Sequence, residues 1–289
     1  MAIVVVTGTS TGIGYTTSLA LARSGHDVFA TMRHPERSHE LQAVAEREGL
    51  PITILRLDVN EDGSVDRAIK EILAARGQID VLVNNAGIGK LGSVEKTQIS
   101  EFRQTMETNY FGALRCIQAV LPGMRARQSG CIINISSASG RVSMAGQSTY
   151  CASKFALEAM SEALAAEVKA FNIRVAIVEP GVIETPIFKK IGDLTADSPY
   201  PQARRMNAIF AASLQRPVPP TVVSEQICEI VANNSWQLRY PVGPDAAAIL
   251  SWRASLSDED FVSFGALDEK AWCEYLFAKF GLDVLPHLF

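Results

Sequence analysis

Histidine and cysteine, the residues that most often hold transition metals, are few and scattered in this sequence. The four histidines stand apart without the spacing of a metal site, and no two of the five cysteines form a CxxC pair. Metal catalysis is therefore not expected. An odd number of cysteines without a disulfide spacing is typical of reduced thiols, which predicts a cytoplasmic protein.

The sequence also lacks a long apolar run, a basic leader and a concentration of basic charge. No apolar stretch approaches the ~18 residues of a membrane helix, and the start, MAIVVVTG, has no basic segment before its short apolar run. With a net charge of -4 and no basic patch, nucleic acid is not an expected partner. The 289 residues, 47% of them hydrophobic, suit one large α/β domain.

What the sequence does contain, from its start, is a glycine-rich turn between a strand pattern and a helix pattern. Residues 3–6 (IVVV) are all apolar, as expected for a parallel strand covered on both faces. The turn TGTSTGIG follows at residues 7–14. Gly8 permits a tight turn, Gly12 lets the backbone approach a phosphate, and Gly14 allows the helix to pack on the strand. The free N–H groups of the helix N-terminus would then bind the anion.

The end of the second predicted strand, at residues 27–33, bears on the choice of nicotinamide cofactor. A carboxylate there would bind the adenosine ribose hydroxyls and repel a 2′-phosphate. No carboxylate occurs before Glu36, whereas Arg33 ends the strand and His34 and Arg37 follow. Since an arginine binds a phosphate through two hydrogen bonds, the sequence favours NADP(H). NAD(H) is the alternative, if Arg33 only faces solvent.

Polar residues follow two further predicted strands. The third strand ends in Asp58 and Val59, which would flank an adenine with an acceptor and an apolar wall. The fourth, at residues 79–87, ends in NNAG, and such sheets bind ligands at the carboxyl ends of their strands. Asn84 and Asn85 either contact a cofactor there or satisfy the backbone of the turn.

A helix pattern at residues 102–126 carries Asn109 in its middle. Asparagine has a poor helix propensity because its side chain competes for backbone hydrogen bonds. Because asparagine destabilises a helix at this position, its presence indicates either a functional role or membership of a buried hydrogen-bond network.

The stretch after a fifth strand pattern, at residues 130–137, holds the residues best suited to acid–base chemistry. Tyr150 and Lys154 are four apart in a helix pattern, so they share one face. A phenol titrates near ~10, and we expect the neighbouring ammonium to lower the pKa of Tyr150. The hydroxyl of Ser137 would share a substrate oxygen with the phenol. These residues predict proton transfer at an alcohol or a carbonyl, unless Tyr150 and Lys154 are a chance surface pair.

Taken in order, these motifs resemble the short-chain dehydrogenase/reductase family. The resemblance covers about residues 3–190, and it rests on TGTSTGIG at 7–14, NNAG at 84–87, Asn109, Ser137, YCASK at 150–154 and PGVIET at 180–185. The tract YCASKFALEAMSEALA is also similar to branches that include steroid and retinol dehydrogenases.

The resemblance implies an α/β fold, a doubly wound, Rossmann-like parallel sheet of about seven strands with helices on both faces. It also implies an NAD(P)-dependent oxidoreductase in which Tyr150 is the general acid or base. Lys154 would lower the Tyr150 pKa and bind the nicotinamide ribose. Ser137 would polarise the substrate oxygen, and is preferred to Ser136 because its spacing to the tyrosine fits the family. Asn109 would anchor a water that links Lys154 to solvent.

The resemblance further implies the cofactor contacts and the assembly. Besides Tyr150 and Lys154, the residues expected to bind the cofactor are Gly8, Ser10, Thr11, Gly12, Ile13, Gly14, Arg33, Asp58, Val59, Asn85, Ala86, Gly87, Pro180, Gly181, Val182, Ile183 and Thr185. The substrate would be a small alcohol or carbonyl compound bound by Ser137 and Tyr150. Because family members often form dimers through helices beside the Ser137 strand, a homodimer or homotetramer is expected.

One domain is expected over residues 1–289, with its core at 1–244 and a C-terminal extension at 245–289. A substrate lid is expected at about residues 186–220, with an ordinary surface connection as the alternative. The extension is rich in apolar and aromatic residues. It would pack on the core, wall the substrate pocket, cover the sheet edge or contact a partner subunit.

Three functions suit such a fold. The leading hypothesis is an NADP(H)-preferring oxidoreductase that interconverts an alcohol and a ketone or aldehyde on a fairly apolar substrate. A cofactor-sensing protein without turnover is less favoured, because such relatives tend to lose the tyrosine or the lysine. A cofactor-free lyase is less favoured because such relatives replace the lysine and remodel the glycine turn. No residue pattern identifies the substrate.

Overall fold

The computed structural model describes residues 1–188 and 198–288, except for the side chain of Arg37. Among these residues, seven parallel strands form one sheet. The strands are Ile3–Thr7 (β1), Asp27–Met32 (β2), Ile52–Arg56 (β3), Val81–Asn84 (β4), Gly130–Ile135 (β5), Ile173–Pro180 (β6) and Arg239–Val242 (β7). The first five strands agree to within a few residues with the segments predicted from the sequence.

The strand order is β3-β2-β1-β4-β5-β6-β7. The chain begins in the middle of the sheet, moves outward to β3 and then returns to β4 on the other side of β1. The connections after β1 and β4 therefore leave towards opposite sides. A crevice opens above the carboxyl ends of these two strands, which is where doubly wound sheets bind ligands.

Helices cover both faces of the sheet. They are Gly12–Arg23 (α1), His39–Glu48 (α2), Asp62–Arg76 (α3), Ile99–Met106 (α4), Gly112–Arg127 (α5), Ser148–Val168 (α6), Pro201–Ser213 (α7), Thr221–Ala232 (α8), Ala246–Ala254 (α9), Asp258–Ala266 (α10) and Glu269–Phe280 (α11). Within the described part of the chain, no helix has both the length and the apolar character needed to cross a membrane.

The core lies in two layers, one on each face of the sheet. Val5 and Ile132 pack with α3, α5 and α6, whereas Val4 and Ile133 pack on the opposite face with α1 and α8. Successive strand residues point to opposite faces, so runs of consecutive apolar residues supply both layers. The predicted Rossmann-like α/β fold is confirmed.

The helix predicted at residues 102–126 is not one uninterrupted α-helix. A π-helical turn over Glu107–Phe111 separates α4 from α5. Asn109 is buried in this turn, where its side chain bonds both backbone groups of Ile88 and the hydroxyl of Ser153. These tertiary hydrogen bonds stabilise the wider turn, and no local sequence pattern reveals them.

The segment expected to form a lid, at about residues 186–220, lies partly outside the described residues. Its described part contains α7, which packs against the C-terminal extension. Helices α9 to α11 form an apolar cluster with α7 through residues that include Ala208, Trp252, Phe264, Trp272 and Leu276. The extension therefore packs on the core at the side where the strands end.

Candidate active site

The carboxyl ends of the strands open into one cavity of about 880 Å³. It is lined by the glycine turn, the segments after β2, β3 and β4, the segment from β5 into α6, and the turn after β6. The expected site residues in its wall are Gly8, Ser10, Thr11, Gly12, Ile13, Arg33, Asp58, Val59, Asn85, Ala86, Gly87, Ser137, Tyr150, Lys154, Pro180, Gly181, Val182, Ile183 and Thr185. The parallel sheet thus brings together residues that are far apart in the sequence.

The glycine turn approaches its neighbours too closely for a side chain. Gly8 has a φ of +70°, and a Cβ there would lie 2.7 Å from the Cα of Ala86. Helix α1 begins at Gly12, and the side chain of its N-cap residue, Thr11, makes no capping hydrogen bond. The first backbone N–H groups of α1 are therefore available to an anion in the cavity.

Gly14 is an expected site residue that does not line the cavity. A Cβ on Gly14 would lie 2.4 Å from Nδ2 of Asn85 and 2.5 Å from the carbonyl oxygen of Gly8. Its lack of a side chain lets α1 pack directly against the turn. This is the close-packing role predicted from the sequence, rather than a contact with a ligand.

Asn85 lines the cavity and also holds the glycine turn. Its amide nitrogen donates to the carbonyl oxygens of Thr7 (2.8 Å) and Gly8 (3.0 Å). The hydroxyl of Thr7 in turn accepts from the backbone N–H groups of Asn85 and Ala86, both at 3.0 Å. Asn84 instead donates to Asn134 in a buried network. Sequence reasoning missed Thr7, although its place as the last strand residue before the glycine turn is a usable signal.

The end of β2 presents two basic side chains to the cavity. Arg33 and His34 are both exposed and line it, and His34 pairs with Glu36 at 3.1 Å. Among the described side chains, none forms an ion pair with Arg33. Asp58 also lines the cavity, and its carboxylate accepts a hydrogen bond from the backbone N–H of Asn60 at 3.0 Å. This end of the cavity therefore offers a ligand the Arg33 guanidinium, which has no ion-pair partner among the described side chains.

The acid–base residues come from the end of β5 and the first turns of α6. Ser137 follows β5, where its hydroxyl accepts from the Ser139 N–H at 3.1 Å and donates to the Pro180 carbonyl at 3.4 Å. Lys154 is 5% exposed, its Nζ donates to the Ile135 carbonyl at 2.7 Å, and it lies 5.7 Å from the ring centroid of Tyr150. Lys154 is therefore buried and Tyr150 half-buried in the cavity wall, so the alternative of a chance surface pair is wrong.

The direction of the Tyr150 pKa shift differs from the expectation. Burial raises the pKa of Tyr150 to about 12, and hydrogen bonding from the Ser137 hydroxyl only partly opposes this. Burial also lowers the pKa of Lys154 to about 8, against the attraction of Glu158. The Lys154 ammonium lies beside the ring and bonds the Ile135 carbonyl, so it does not offset the desolvation of the phenol. Tyr150 is therefore protonated at neutral pH in this structure.

Asn109 is the second expected site residue outside the cavity wall. It lies next to Gly87. A Cβ added to Gly87 would be 3.3 Å from Oδ1 of Asn109 and 3.8 Å from Nζ of Lys154. The two side chains therefore approach the same point beside Gly87. Asn109 belongs to a buried network, as one alternative predicted, and that network is next to Lys154.

Two buried carboxylates, Glu158 and Glu179, form a charged cluster with two partly exposed arginines next to the acid–base residues, and sequence reasoning assigned this cluster no role. The Arg239 Nε is 3.1 Å from Glu158 and 3.4 Å from Glu179, while Arg141 is 3.7 Å from Glu179. Burial raises the pKa of Glu179 to about 7, and repulsion from Glu158 adds to the shift. One signal was available, since Glu158 follows Lys154 by one helical turn.

The other half of the cavity is apolar. Much of its wall comes from α7 and from the extension, and the apolar lining residues include Leu91, Val142, Met144, Met206, Ile209, Phe210, Ile249, Trp252, Leu276, Phe280 and Leu282. Of the roles considered for the extension, the structure supports packing on the core and walling the pocket. The apolar wall adjoins Ser137 and Tyr150, so an apolar molecule has access to them.

Comparisons with known proteins agree with this arrangement. A family profile described as short chain dehydrogenase matches residues 2–195. The chain is 37% identical over 246 residues to the 3-ketodihydrosphingosine reductase of Bacteroides thetaiotaomicron, covering 84% of this chain and 88% of that protein. It is 40% identical over 192 residues to retinol dehydrogenase 8 of Homo sapiens, covering 65% of this chain and 61% of that protein.

A solved structure shows the same fold over nearly the whole chain. The short-chain dehydrogenase from Streptomyces avermitilis has a TM-score of 0.80 and 35% identity, covering 92% of this chain and 98% of that one. The matched family profile spans β1 to β6, which carry the glycine turn, Ser137, Tyr150 and Lys154. The chain therefore belongs to the short-chain dehydrogenase/reductase family and is an NAD(P)-dependent oxidoreductase.

Proposed function

We propose that this enzyme interconverts an alcohol and a ketone or aldehyde, prefers NADP(H), and uses Tyr150 as its general acid or base. One observation carries the proposal: Ser137, Tyr150 and Lys154 meet in the same cavity wall, between the glycine turn and an apolar chamber. A phenol and a hydroxyl beside one another are suited to hold and protonate a single substrate oxygen.

The cavity suits a nicotinamide dinucleotide along its length. In the glycine turn, the backbone passes so close to its neighbours that a Cβ at Gly8 would collide with them. The N-terminus of α1, where Thr11 makes no side-chain cap, would hold the pyrophosphate. Arg33, at the end of β2, would bind the 2′-phosphate. Among the described residues, the one carboxylate near this strand end is Glu36, which is paired with His34. Residues 180–185 would contact the nicotinamide. When bound, the cofactor supplies or accepts the hydride, so the protein supplies binding, orientation and proton transfer.

In reduction, Ser137 would hold the carbonyl oxygen while Tyr150 gives it a proton. The raised pKa of Tyr150 keeps the phenol protonated at neutral pH, as a general acid requires. In oxidation, the same phenol must first lose its proton, so alcohol oxidation would become faster as the pH rises. The phenolate that reduction leaves behind must then regain a proton before the next turnover.

Reprotonation of Tyr150 needs a route to solvent. Lys154 approaches the point beside Gly87 that Asn109 also approaches, and the π-turn holds Asn109 there. We propose that a water bound at this point passes protons to Lys154. Asn109 is thus a positioning residue, which acts through the water and Lys154.

The apolar chamber supports an apolar substrate. Aliphatic and aromatic side chains of α7 and the extension surround the space next to Tyr150. The two curated relatives carry the names of a reductase of a keto compound and of a retinol dehydrogenase. These names agree with turnover of a carbonyl or hydroxyl group on a largely apolar molecule.

The test replaces the proposed acid–base residue. Tyr150→Phe should lower kcat for NADPH-dependent reduction of apolar ketones and aldehydes by about 10²- to 10⁴-fold, because the general acid is lost. NADPH binding, followed by fluorescence, should remain close to that of the unmodified enzyme. The matched control is Tyr240→Phe, a buried phenol of β7 whose hydroxyl has no partner among the described residues and which lies outside the cavity wall.

Two results would contradict the proposal. Full activity of Tyr150→Phe would exclude the phenol as the acid. Tight NADPH binding without turnover over a broad panel of alcohols and carbonyl compounds would instead indicate a cofactor-sensing protein.

A further inference from the structure

One buried amide interrupts the apolar part of the cavity. Gln147 lines the cavity, is 5% exposed and lies one helical turn before Tyr150. A buried primary amide can donate two hydrogen bonds and accept two. The partners of Gln147 therefore show which of these bonds remain available to a ligand.

The two ends of this amide are satisfied unequally. Its Oε1 accepts from the hydroxyl of Ser139 at 3.0 Å and from the thiol of Cys151 at 3.7 Å. Its Nε2 donates to the sulfur of Met206 at 2.9 Å, and this sulfur is the one acceptor of Nε2 within residues 1–188 and 198–288. A thioether sulfur is a weak acceptor, so an oxygen in the same place would be a better partner. The flexible side chain of Met206 can move aside at little cost.

The amide is held at a fixed position relative to the acid–base residues. The Gln147 backbone caps α6, its N–H donates to the Met144 carbonyl at 3.2 Å, and its carbonyl accepts from the Cys151 N–H at 2.8 Å. Ser139 connects its side chain to Ser137, because the Ser139 N–H donates to the Ser137 hydroxyl at 3.1 Å. The cavity thus has two polar anchors on one rigid frame.

We infer that Gln147 determines specificity by donating a hydrogen bond from its amide nitrogen to a second oxygen of the substrate. The inference rests on the proposed function and deepens it. The preferred substrates are apolar molecules with two oxygens, one that reacts at Ser137 and Tyr150 and a hydroxyl, ether or carbonyl oxygen a few bonds away. A simple ketone lacks the second oxygen, so the Gln147 amide nitrogen keeps its hydrogen bond to the sulfur of Met206.

The experiment compares one aliphatic ketone with its α-, β- and γ-hydroxy derivatives. In the unmodified enzyme, at least one hydroxyketone should have a KM about 10-fold below that of the parent ketone, with a similar kcat. In Gln147→Met the KM ratio should fall to about 1, because KM should rise about 10-fold more for the hydroxyketone than for the parent ketone. Gln42→Met, on the exposed surface of α2, is the matched control and should keep the ratio.

A purely structural role of Gln147 would raise KM or lower kcat for the parent ketone and the hydroxyketones alike, and this result would overturn the inference. An unmodified enzyme that does not distinguish the parent ketone from any hydroxyketone would also overturn it. Calorimetric titration in the presence of oxidised cofactor separates this inference from the proposed function. Hydroxyketone binding that depends on Gln147, without turnover, would support the inference and contradict the proposed function.

Discussion

Ser136 and Ser137 are adjacent and both line the cavity, yet their hydroxyls have different neighbours. Successive residues of an extended chain point to opposite sides. Ser137 has extended dihedral angles and faces the cavity beside Tyr150. The Ser136 hydroxyl and the Glu158 side chain both lie beside Gly140. A Cβ added to Gly140 would be 2.6 Å from Ser136 Oγ and 3.0 Å from Glu158 Cγ. The preference for Ser137, which came from family spacing, thus has a physical basis in the alternation of the chain.

Cofactor preference is also decided at single residues. Arg33→Ala should weaken NADPH binding by about 1.5–3 kcal/mol, the range for a hydrogen bond to a charged group, and leave NADH binding nearly unchanged. The measurement is the pair of Michaelis constants for NADPH and NADH. Arg47→Ala is the control, because Arg47 is an exposed residue of α2 outside the cavity wall. Equal loss for both cofactors would show that Arg33 does not contact the 2′-phosphate.

Between elements, the charged cluster joins α6, β6 and β7 directly behind the acid–base residues. Glu158 of α6 and Glu179 of β6 share the guanidinium of Arg239, and Arg141 approaches from the turn after β5. Both oxygens of Glu179 are buried without a hydrogen-bond partner among the described residues. Two carboxylates around one guanidinium repel each other, which favours a proton on Glu179.

Stability should therefore depend on the protonation of Glu179. Its folded pKa of about 7 lies above the ordinary 4.5, so its stabilising contribution is full below about pH 4.5 and is lost as the pH rises through about 7. Glu179→Gln should remove this dependence. Between about pH 5 and pH 8, the unmodified enzyme should lose ~1–3 kcal/mol of unfolding free energy that the variant retains.

The measurement is urea denaturation at both pH values. Glu162→Gln serves as the control, since Glu162 pairs with the same Arg239 at 2.9 Å but its side chain is 55% exposed. Its pH dependence should match that of the unmodified enzyme. An unchanged pH dependence in Glu179→Gln would mean that Glu179 is ionised over the whole range.

At the scale of the whole molecule, the extension has a small core of its own that is joined to the site. Trp252 is 3% exposed, packs edge-on against Phe261, Phe264 and Phe280, and donates to the hydroxyl of Tyr275 at 2.8 Å. The same side chain lines the cavity. Packing of the extension and the shape of the substrate chamber are therefore coupled.

Trp252→Ala should lower the free energy of unfolding by about 3–5 kcal/mol, the cost of a large cavity in an aromatic core. It should also raise KM for apolar ketones, because the chamber loses part of its wall. Trp236→Ala is the matched control: Trp236 is 44% exposed and lies outside the cavity wall, so the loss should be far smaller. A separate early unfolding transition in Trp252→Ala would contradict the expectation that residues 1–289 form a single domain.

Local sequence patterns were enough to predict the strands, the glycine turn and the pairing of Tyr150 with Lys154. These features depend on local patterns: apolar runs make buried strands, and an i, i+4 spacing in a helix places two side chains on one face. Parallel strands then bring their carboxyl ends to one edge of the sheet. The convergence of the expected residues on one cavity followed from these rules.

The electrostatics and the walls of the site depend on contacts between residues that are distant in the sequence. The direction of the Tyr150 pKa shift depends on how much protein surrounds the phenol, and the state of Glu179 depends on Glu158 and Arg239, which are distant in sequence. Likewise, the extension and Gln147 enter the cavity through contacts with α7. Desolvation and packing are sums over neighbours that the folded chain brings together, so no local pattern contains them.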